Sequence, residues 1–242
     1  MENFEYEAMA QNQEKHWWFA ARREILDALI QKFSPEKNKK ILEIGAGTGA
    51  NIEMLSTHGK LTAVEPKEFA RKKISEKFPN KITLINGKLP GELNLENQKF
   101  DLICLFDVLE HIKDDAAALR EIKNHLAKDG RIILTVPAFQ FLWSEHDKNL
   151  HHFRRYNKKN LTNLIAACGL EVVDCGYFNS FLFPLAFLAR IFDKIFPGQQ
   201  KPEKIPFTLL NQTLHEIFAM EKTFLTKGGV FPFGLSLYAI LK

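Results

Sequence analysis

From residue 40 onward the chain alternates short apolar runs with amphipathic stretches. Residues 40–44, 61–65, 82–86, 100–106 and 131–136 are brief, partly β-branched or aromatic, and bounded by polar or turn residues, which is how strands buried inside a sheet read. Between them the spacing is helical. Residues 114–126 show it most clearly: Ala118, Leu119, Ile122 and Leu126 share a face, acidic residues open the segment, and Lys128-Asp129-Gly130 stops it. Strands alternating with helices imply βαβ units, hence a mostly parallel sheet with helices on both faces. Residues 16–33 read as a helix before the sheet, 157–168 as a helix after it, and 170–177 and 236–241 as a sixth and a seventh strand. About sixty residues separate those last two strands, too many for an ordinary connection, so that segment is expected to carry structure of its own.

Composition narrows the class without choosing a function. The 242 residues are 45% hydrophobic and 26% charged, ordinary for a globular chain with a sizeable core. A formal net charge of +4 is too small to argue for nucleic acid without a basic stripe, so a nucleic-acid partner is not expected. Cys104, Cys168 and Cys175 lie in apolar segments without metal-ligand spacing and read as buried thiols. The first residues lack a signal-peptide pattern, and no run reaches the roughly 18 apolar residues that span a bilayer. A cytoplasmic protein is the default expectation.

Candidate chemistry begins at Ile41-Leu42-Glu43-Ile44-Gly45-Ala46-Gly47-Thr48-Gly49, a strand entering a glycine-rich turn and then a helix. A bare G-x-G-x-G fits a structural turn or a dinucleotide site equally well. The second strand then ends in Val64-Glu65-Pro66, placing a carboxylate about twenty residues further on, where it can accept from both hydroxyls of a ribose. Dinucleotide loops usually read G-x-G-x-x-G against a pyrophosphate, whereas here Glu43 precedes the glycines, and a carboxylate suits an ammonium better. On these residues the chain resembles the class I S-adenosylmethionine-dependent methyltransferases over about residues 40–140: Glu43, Gly45, Gly47 and Gly49 match the first motif of that family and Glu65 the second.

The resemblance implies a Rossmann-like α/β fold, S-adenosylmethionine as cofactor and S-adenosylhomocysteine as product. The chain then divides into an N-terminal helical lid (1–38), a cofactor-binding core (39–178), a helical insertion (179–230) and the last strand (231–242). Expected cofactor contacts are Trp18, Arg22, Glu43, Gly45, Ala46, Gly47, Gly49, Asn51, Glu65, Pro66, Lys88, Leu89, Phe106 and Asp107. Lys88 departs from the family pattern, because it cannot accept the adenine amine; either the Leu89 amide and apolar packing hold the base, or the register shifts by one. Trp17 and Trp18, with Arg22 and Arg23, read as a lid over the cofactor, with packing against the sheet as the alternative for both Trp.

After the fourth strand, Asp107-Val108-Leu109-Glu110-His111 places three ionisable groups where a transferred methyl should point. His111, with Glu110 beside it, suits proton removal near neutral pH; bracing the following loop is the competing reading. The acid-x-x-Glu-His spacing also resembles ubiquinone-pathway O-methyltransferases and Hen-type methyltransferases of small RNAs, where it holds a divalent metal with a further ligand after the fifth strand. His146, His151 and His152 are available here, His152 matching best. Asp107 stands where those families carry Glu, shortening its reach, so a divalent metal is allowed for but not expected.

His151, Arg154, Arg155 and Tyr156 follow at the rim where an acceptor enters, and paired Arg side chains can fork onto an anion; helix capping toward water is the alternative. Residues 181–189, with Arg190, Lys194 and Lys201 behind them, are too short to span a membrane and too apolar for an exposed loop. They suit the headgroup region of a bilayer at the inner face of the membrane, a groove for a greasy acceptor, or burial. The function expected is methyl transfer to an oxygen, less readily a nitrogen, of a small, lipid-linked or sugar-linked acceptor, with His111 or His152 removing the proton and no obligate protein partner. An NAD-dependent oxidoreductase and a non-enzymatic module that keeps the fold and binds a membrane or protein are the rivals.

Overall fold

The computed structural model describes residues 3–195 and 205–242. In chain order its elements are α1 (Asn3–Asn12), α2 (Trp17–Phe33), β1 (Lys39–Ile44), α3 (Ile52–Ser56), β2 (Gly59–Val64), α4 (Glu68–Lys77), β3 (Thr83–Ile85), β4 (Phe100–Phe106), α5 (Asp115–Lys123), β5 (Leu126–Pro137), α6 (Glu145–Asn149), α7 (Lys158–Ala167), β6 (Val172–Phe178), α8 (Phe183–Ile195), α9 (Thr208–Thr226) and β7 (Ser236–Leu241). The strands form one sheet in the order β3-β2-β1-β4-β5-β7-β6. Pairing is parallel from β3 through β5, and β7 runs antiparallel between β5 and β6. This is the expected Rossmann-like, mostly parallel sheet of seven strands. Its strand order reverses between β1 and β4, and ligands of such sheets bind at the carboxyl ends beside that reversal.

The apolar runs bury as their pattern requires. Ile41, Leu42, Leu102, Ile103, Leu105, Ile132, Ile133 and Leu134 are fully buried in the central strands. Helix α2 is capped by His16, whose Nδ1 accepts from the Trp18 amide at 3.3 Å, a side-chain cap on an otherwise orphaned donor. The insertion is helical: α9 packs on α2, with Phe218 edge-on to Trp17 at 6.1 Å between centroids. Glu221 of α9, fully buried, accepts the backbone amides of Asn179, Ser180 and Phe181 at 2.6–2.8 Å and so ties the end of β6 to the insertion.

Several boundaries shift by a residue or two from the sequence reading, and three features differ further. The helix over 114–126 ends at Lys123, because Asn124 caps it and Leu126 already pairs with Phe100. Lys128-Asp129-Gly130 is therefore an irregularity inside β5, where the register shifts and a Cβ on Gly130 would lie 2.9 Å from the Phe100 carbonyl. The chain also forms a helix before His16, α1. Of the insertion, Lys201 lies outside the described residues, as do the side chains of Arg190 and Lys194. No helix among the described residues is long and apolar enough to cross a membrane.

Candidate active site

At the end of β1 the Glu43 side chain is buried, and Asn51 Nδ2 donates to its Oε1 at 2.9 Å. Oε2 is buried without a partner. Burial lifts the Glu43 carboxyl from 4.5 to about 7, against the pull of Asn51 and Arg22. An acceptor left unpaired in low dielectric is costly unless something cationic or hydrogen-bearing meets it.

The glycine turn serves two purposes. Gly45 and Gly49 have positive φ, and an added Cβ would meet Val108 Cγ2 at 2.7 Å and Ile52 Cδ1 at 2.9 Å; they let the turn pack on the protein. Gly47 also has positive φ (+55°), but its Cβ would meet nothing within 4 Å, so the turn leaves open space there. The Gly47 amide donates to Glu65 Oε2 at 2.8 Å, and the Lys67 amide to Glu65 Oε1 at 2.9 Å. Burial raises the pKa of Glu65, and these amides oppose the rise. Ala46 lies inside the turn, its amide on the Val64 carbonyl at 3.1 Å.

Two residues of α1 and the turn after it reach the same place. Tyr6 Oη donates to Glu65 Oε1 at 3.4 Å, and Gln13, nearly buried, exchanges hydrogen bonds with Thr48. No apolar stripe announces Tyr6 and Gln13, and the sequence reading misses them.

Arg22 is buried under Trp18, 5.3 Å from its ring centroid, and lies 5.7 Å from the Phe106 ring. Its Nη2 donates to Asp107 Oδ2 and to Thr135 Oγ1, each at 2.7 Å, while Nε is buried without a partner. Thr135 Oγ1 in turn donates to Asp107 Oδ1 at 3.1 Å. Thr135 is a third contributor, one that an apolar strand hides. A carboxylate acceptor at Glu43 and a guanidinium donor at Arg22, each with an unpaired buried atom, are the complementary partners of an α-amino acid's ammonium and carboxylate. With the opening at Gly47 and the acid at Glu65, the donor set fits S-adenosylmethionine.

Beyond Asp107, a ring nitrogen of His111, a ring nitrogen of His152 and a carboxylate oxygen of Glu110 lie within 4.8 Å of one another. Both Glu110 oxygens are buried without a partner, and burial beside Asp107 pushes this carboxyl well above its usual range. Burial, with His152 close by, lowers His111 to about 4, so its imidazole is neutral at physiological pH. The two rings meet edge-to-face, 4.5 Å between centroids. This trio has the chemistry to move a proton or to ligate a cation; Asp107, the first acid of the spacing, is held by Arg22 and Thr135 instead.

The other expected site residues have these surroundings. Lys88 points outward onto Glu92 at 3.0 Å, Pro66 is exposed with its carbonyl on Arg71, and Leu89 is buried. His151 is exposed with φ of +55°. Arg154 pairs with Asp115 and donates to the Lys113 carbonyl. Arg155 Nε is on the buried Asp147 at 2.7 Å, and Tyr156, buried, donates to Asp115 at 2.8 Å. The Arg and Tyr side chains are thus engaged within the chain rather than turned to water as helix caps.

An aromatic wall follows β5 beside Tyr156. The Phe139 amide is on the Tyr156 carbonyl at 2.7 Å, and its ring stacks on Tyr177 at 5.0 Å and Phe141 at 5.1 Å. Phe141 meets Phe187, which stacks on Phe183. Phe141, Leu185 and Leu188 are 57%, 61% and 64% exposed.

Comparison with known proteins bears on this geometry. Residues 18–174 match a family model described as a methyltransferase domain. A Mycobacterium tuberculosis protein that carries the name probable S-adenosylmethionine-dependent methyltransferase is 25% identical over 169 residues, which is 68% of this chain and 60% of that protein. The chain therefore spans only about three fifths of the length of that relative. A ubiquinone biosynthesis O-methyltransferase of Actinobacillus pleuropneumoniae is 24% identical over 178 residues, 65% of this chain and 75% of that one. Among solved structures, the methyltransferase chain of a Haloferax volcanii complex with the Trm112 methyltransferase activator superposes with a TM-score of 0.63 at 14% identity, covering 99% of this chain and 95% of that one. That likeness speaks to the fold.

Proposed function

The chain belongs to the class I S-adenosylmethionine-dependent methyltransferases, and from that premise we propose that it transfers a methyl group to an oxygen of a small or lipid-linked acceptor. The observation that carries the reading is the set of unpaired buried atoms on Glu43 and Arg22 beside the open Gly47 turn and the Glu65 acid. Glu43 takes the ammonium, Arg22 the carboxylate and Glu65 the ribose. When bound, S-adenosylmethionine supplies a methyl on a sulfonium, activated for in-line displacement.

The residues of the chain then align the acceptor, exclude water and receive a proton, and alignment contributes most. An oxygen acceptor must lose its proton, and His111, neutral at physiological pH, and His152 supply the ring nitrogens of the Glu110 trio. Their closeness supports an oxygen over a nitrogen acceptor, which needs less help from a base. The aromatic wall from Phe139 to Phe187 supports an acceptor with an apolar body and contact with a membrane surface. The Trm112-bound neighbour makes a protein partner a reading to test alongside.

The test follows a tritiated methyl group from donor to acceptor, in the presence of a bacterial lipid extract or of water-soluble phenols, with mass spectrometry locating the methyl. Label on oxygen, lost about 100-fold in His111→Ala or in His152→Ala with affinity for S-adenosylhomocysteine retained, supports the proposal. Label on nitrogen, or an unchanged rate in both His111→Ala and His152→Ala, removes it. A second reading, that Glu110, His111 and His152 hold a divalent cation, is favoured by their convergence; loss of label transfer on chelation, restored by Mg²⁺ or Mn²⁺, would select it.

A further inference from the structure

Within the site proposed above, the two histidines are held in different ways. His152 Nδ1 meets Asp147 Oδ1 at 3.0 Å, and Asp147 is fully buried. The same oxygen accepts Arg155 Nε at 2.7 Å, and Oδ2 accepts the Ser144 amide at 2.9 Å. The main chain repeats the connection, the His152 amide donating to the Asp147 carbonyl at 2.9 Å. Arg155 is fixed in turn, with Nη1 on the Ala138 carbonyl at 3.1 Å, just past the end of β5. His111 has no carboxylate of this kind: its ring bonds the Leu150 backbone.

A carboxylate that already accepts from a guanidinium and an amide acts as an acceptor only, so the hydrogen between Asp147 and His152 belongs to Nδ1. When this ring carries a single N–H, Asp147 places it on Nδ1 and leaves Nε2 with the lone pair. Buried hydrogen bonds of this kind lock a ring's tautomer and orientation together, and the wrong tautomer of a histidine base is ineffective whatever its position.

We propose that Asp147 is a positioning residue that fixes His152 in the Nδ1–H tautomer, so that His152 Nε2 is the atom that takes the acceptor's proton, while Arg155 holds the carboxylate in place. This rests on the methyl-transfer reading. In the step it serves, the acceptor O–H breaks and its proton goes to Nε2. The oxygen's electron pair forms the bond to the methyl, and the sulfur keeps the pair of the broken S–CH₃ bond. The imidazolium then yields its proton to water. Arg155, read from sequence as an anion holder, acts on this account through Asp147.

The experiment is nitrogen NMR of histidine-labelled full-length protein near neutral pH, with His152→Gln used to assign the ring, beside calorimetry with S-adenosylhomocysteine. In the wild type, His152 Nδ1 is expected at a pyrrole-type shift coupled to hydrogen and Nε2 at a pyridine-type shift. In Asp147→Ala that signature is lost, the ring returns to the mixed tautomers of free histidine, and S-adenosylhomocysteine still binds. A wild-type His152 protonated on Nε2 overturns the proposal, as does an Asp147→Ala spectrum identical to wild type. If that variant does not fold, the wild-type spectrum decides. Failure of the wild type to bind S-adenosylhomocysteine would instead sink the methyl-transfer reading and leave the tautomer result standing.

Discussion

Arg22 and Asp107, 85 positions apart in the chain, are joined at 2.7 Å beneath the Trp18 ring, with Thr135 bonded to both. The contact fastens α2 to the carboxyl end of β4 and holds Asp107 at a positive φ of +57°, a region few residues other than glycine enter. It makes the first long helix a wall of the proposed cofactor site.

Removing the guanidinium strands a carboxylate whose side chain is 28% exposed. Losing one partner of a fully buried pair costs about 3–5 kcal/mol, and solvent reaching Asp107 reduces that, so roughly 2 kcal/mol is expected for Arg22→Ala. Affinity for S-adenosylhomocysteine should fall at least about tenfold, one charge-assisted bond being worth 1.5–3 kcal/mol. Thermal unfolding and calorimetry on the same sample check both; intact affinity would place Arg22 in the frame only.

Glu43 gives a pH signature. Its folded pKa, about 7, lies above its ordinary 4.5, so its protonated form stabilises the cofactor-free fold below pH 4.5, and that stabilisation is lost as pH rises through 7. A shift of this size corresponds to about 3 kcal/mol. Glu43→Gln should therefore flatten the decline in stability between pH 5 and 8 and be more stable than wild type at pH 8, while binding S-adenosylhomocysteine more weakly. Urea unfolding at the two pH values measures this; parallel wild-type and variant curves would contradict it.

The glycines separate structure from binding. Gly47→Ala adds a methyl group in open space at positive φ, so it should cost only about 1–2 kcal/mol of stability and a larger share of cofactor affinity. Gly45→Ala drives a Cβ to 2.7 Å from Val108 and should cost more stability than Gly47→Ala. Equal stability losses would mean that the two positions play the same part.

The exposed face of α8 should be separable from folding. Leu185→Glu with Leu188→Glu replaces two side chains that are more than 60% exposed, so stability should change by less than about 0.5 kcal/mol per site. Co-sedimentation with phosphatidylglycerol-containing vesicles should fall severalfold. Unchanged sedimentation, or none by the wild type, would remove the membrane surface from the proposal.

The parts of this structure legible in sequence are those written in local pattern. The strands 100–106 and 236–241 agree with β4 and β7, whose residues are buried throughout except Asp101, and the glycine turn, Glu65 and the Asp107–His111 cluster announce their chemistry by residue type and spacing. What stayed hidden depends on distant partners. Thr135 reads as one more strand residue until Arg22 and Asp107 meet it, Asp147 gains its part only when Arg155 and His152 close on it, and Tyr6 only when it reaches Glu65. β5 starts five residues early because Leu126 finds Phe100 across an irregularity that strand periodicity does not encode.

The most direct measurement is a calorimetric titration of the wild type and Glu65→Ala with S-adenosylhomocysteine, with NAD as the control. Saturable binding to the wild type, weakened at least about tenfold in Glu65→Ala by loss of the ribose hydrogen bonds, with no heat from NAD, is the predicted result. Binding of NAD instead, or S-adenosylhomocysteine held equally well without the Glu65 carboxylate, would contradict the account.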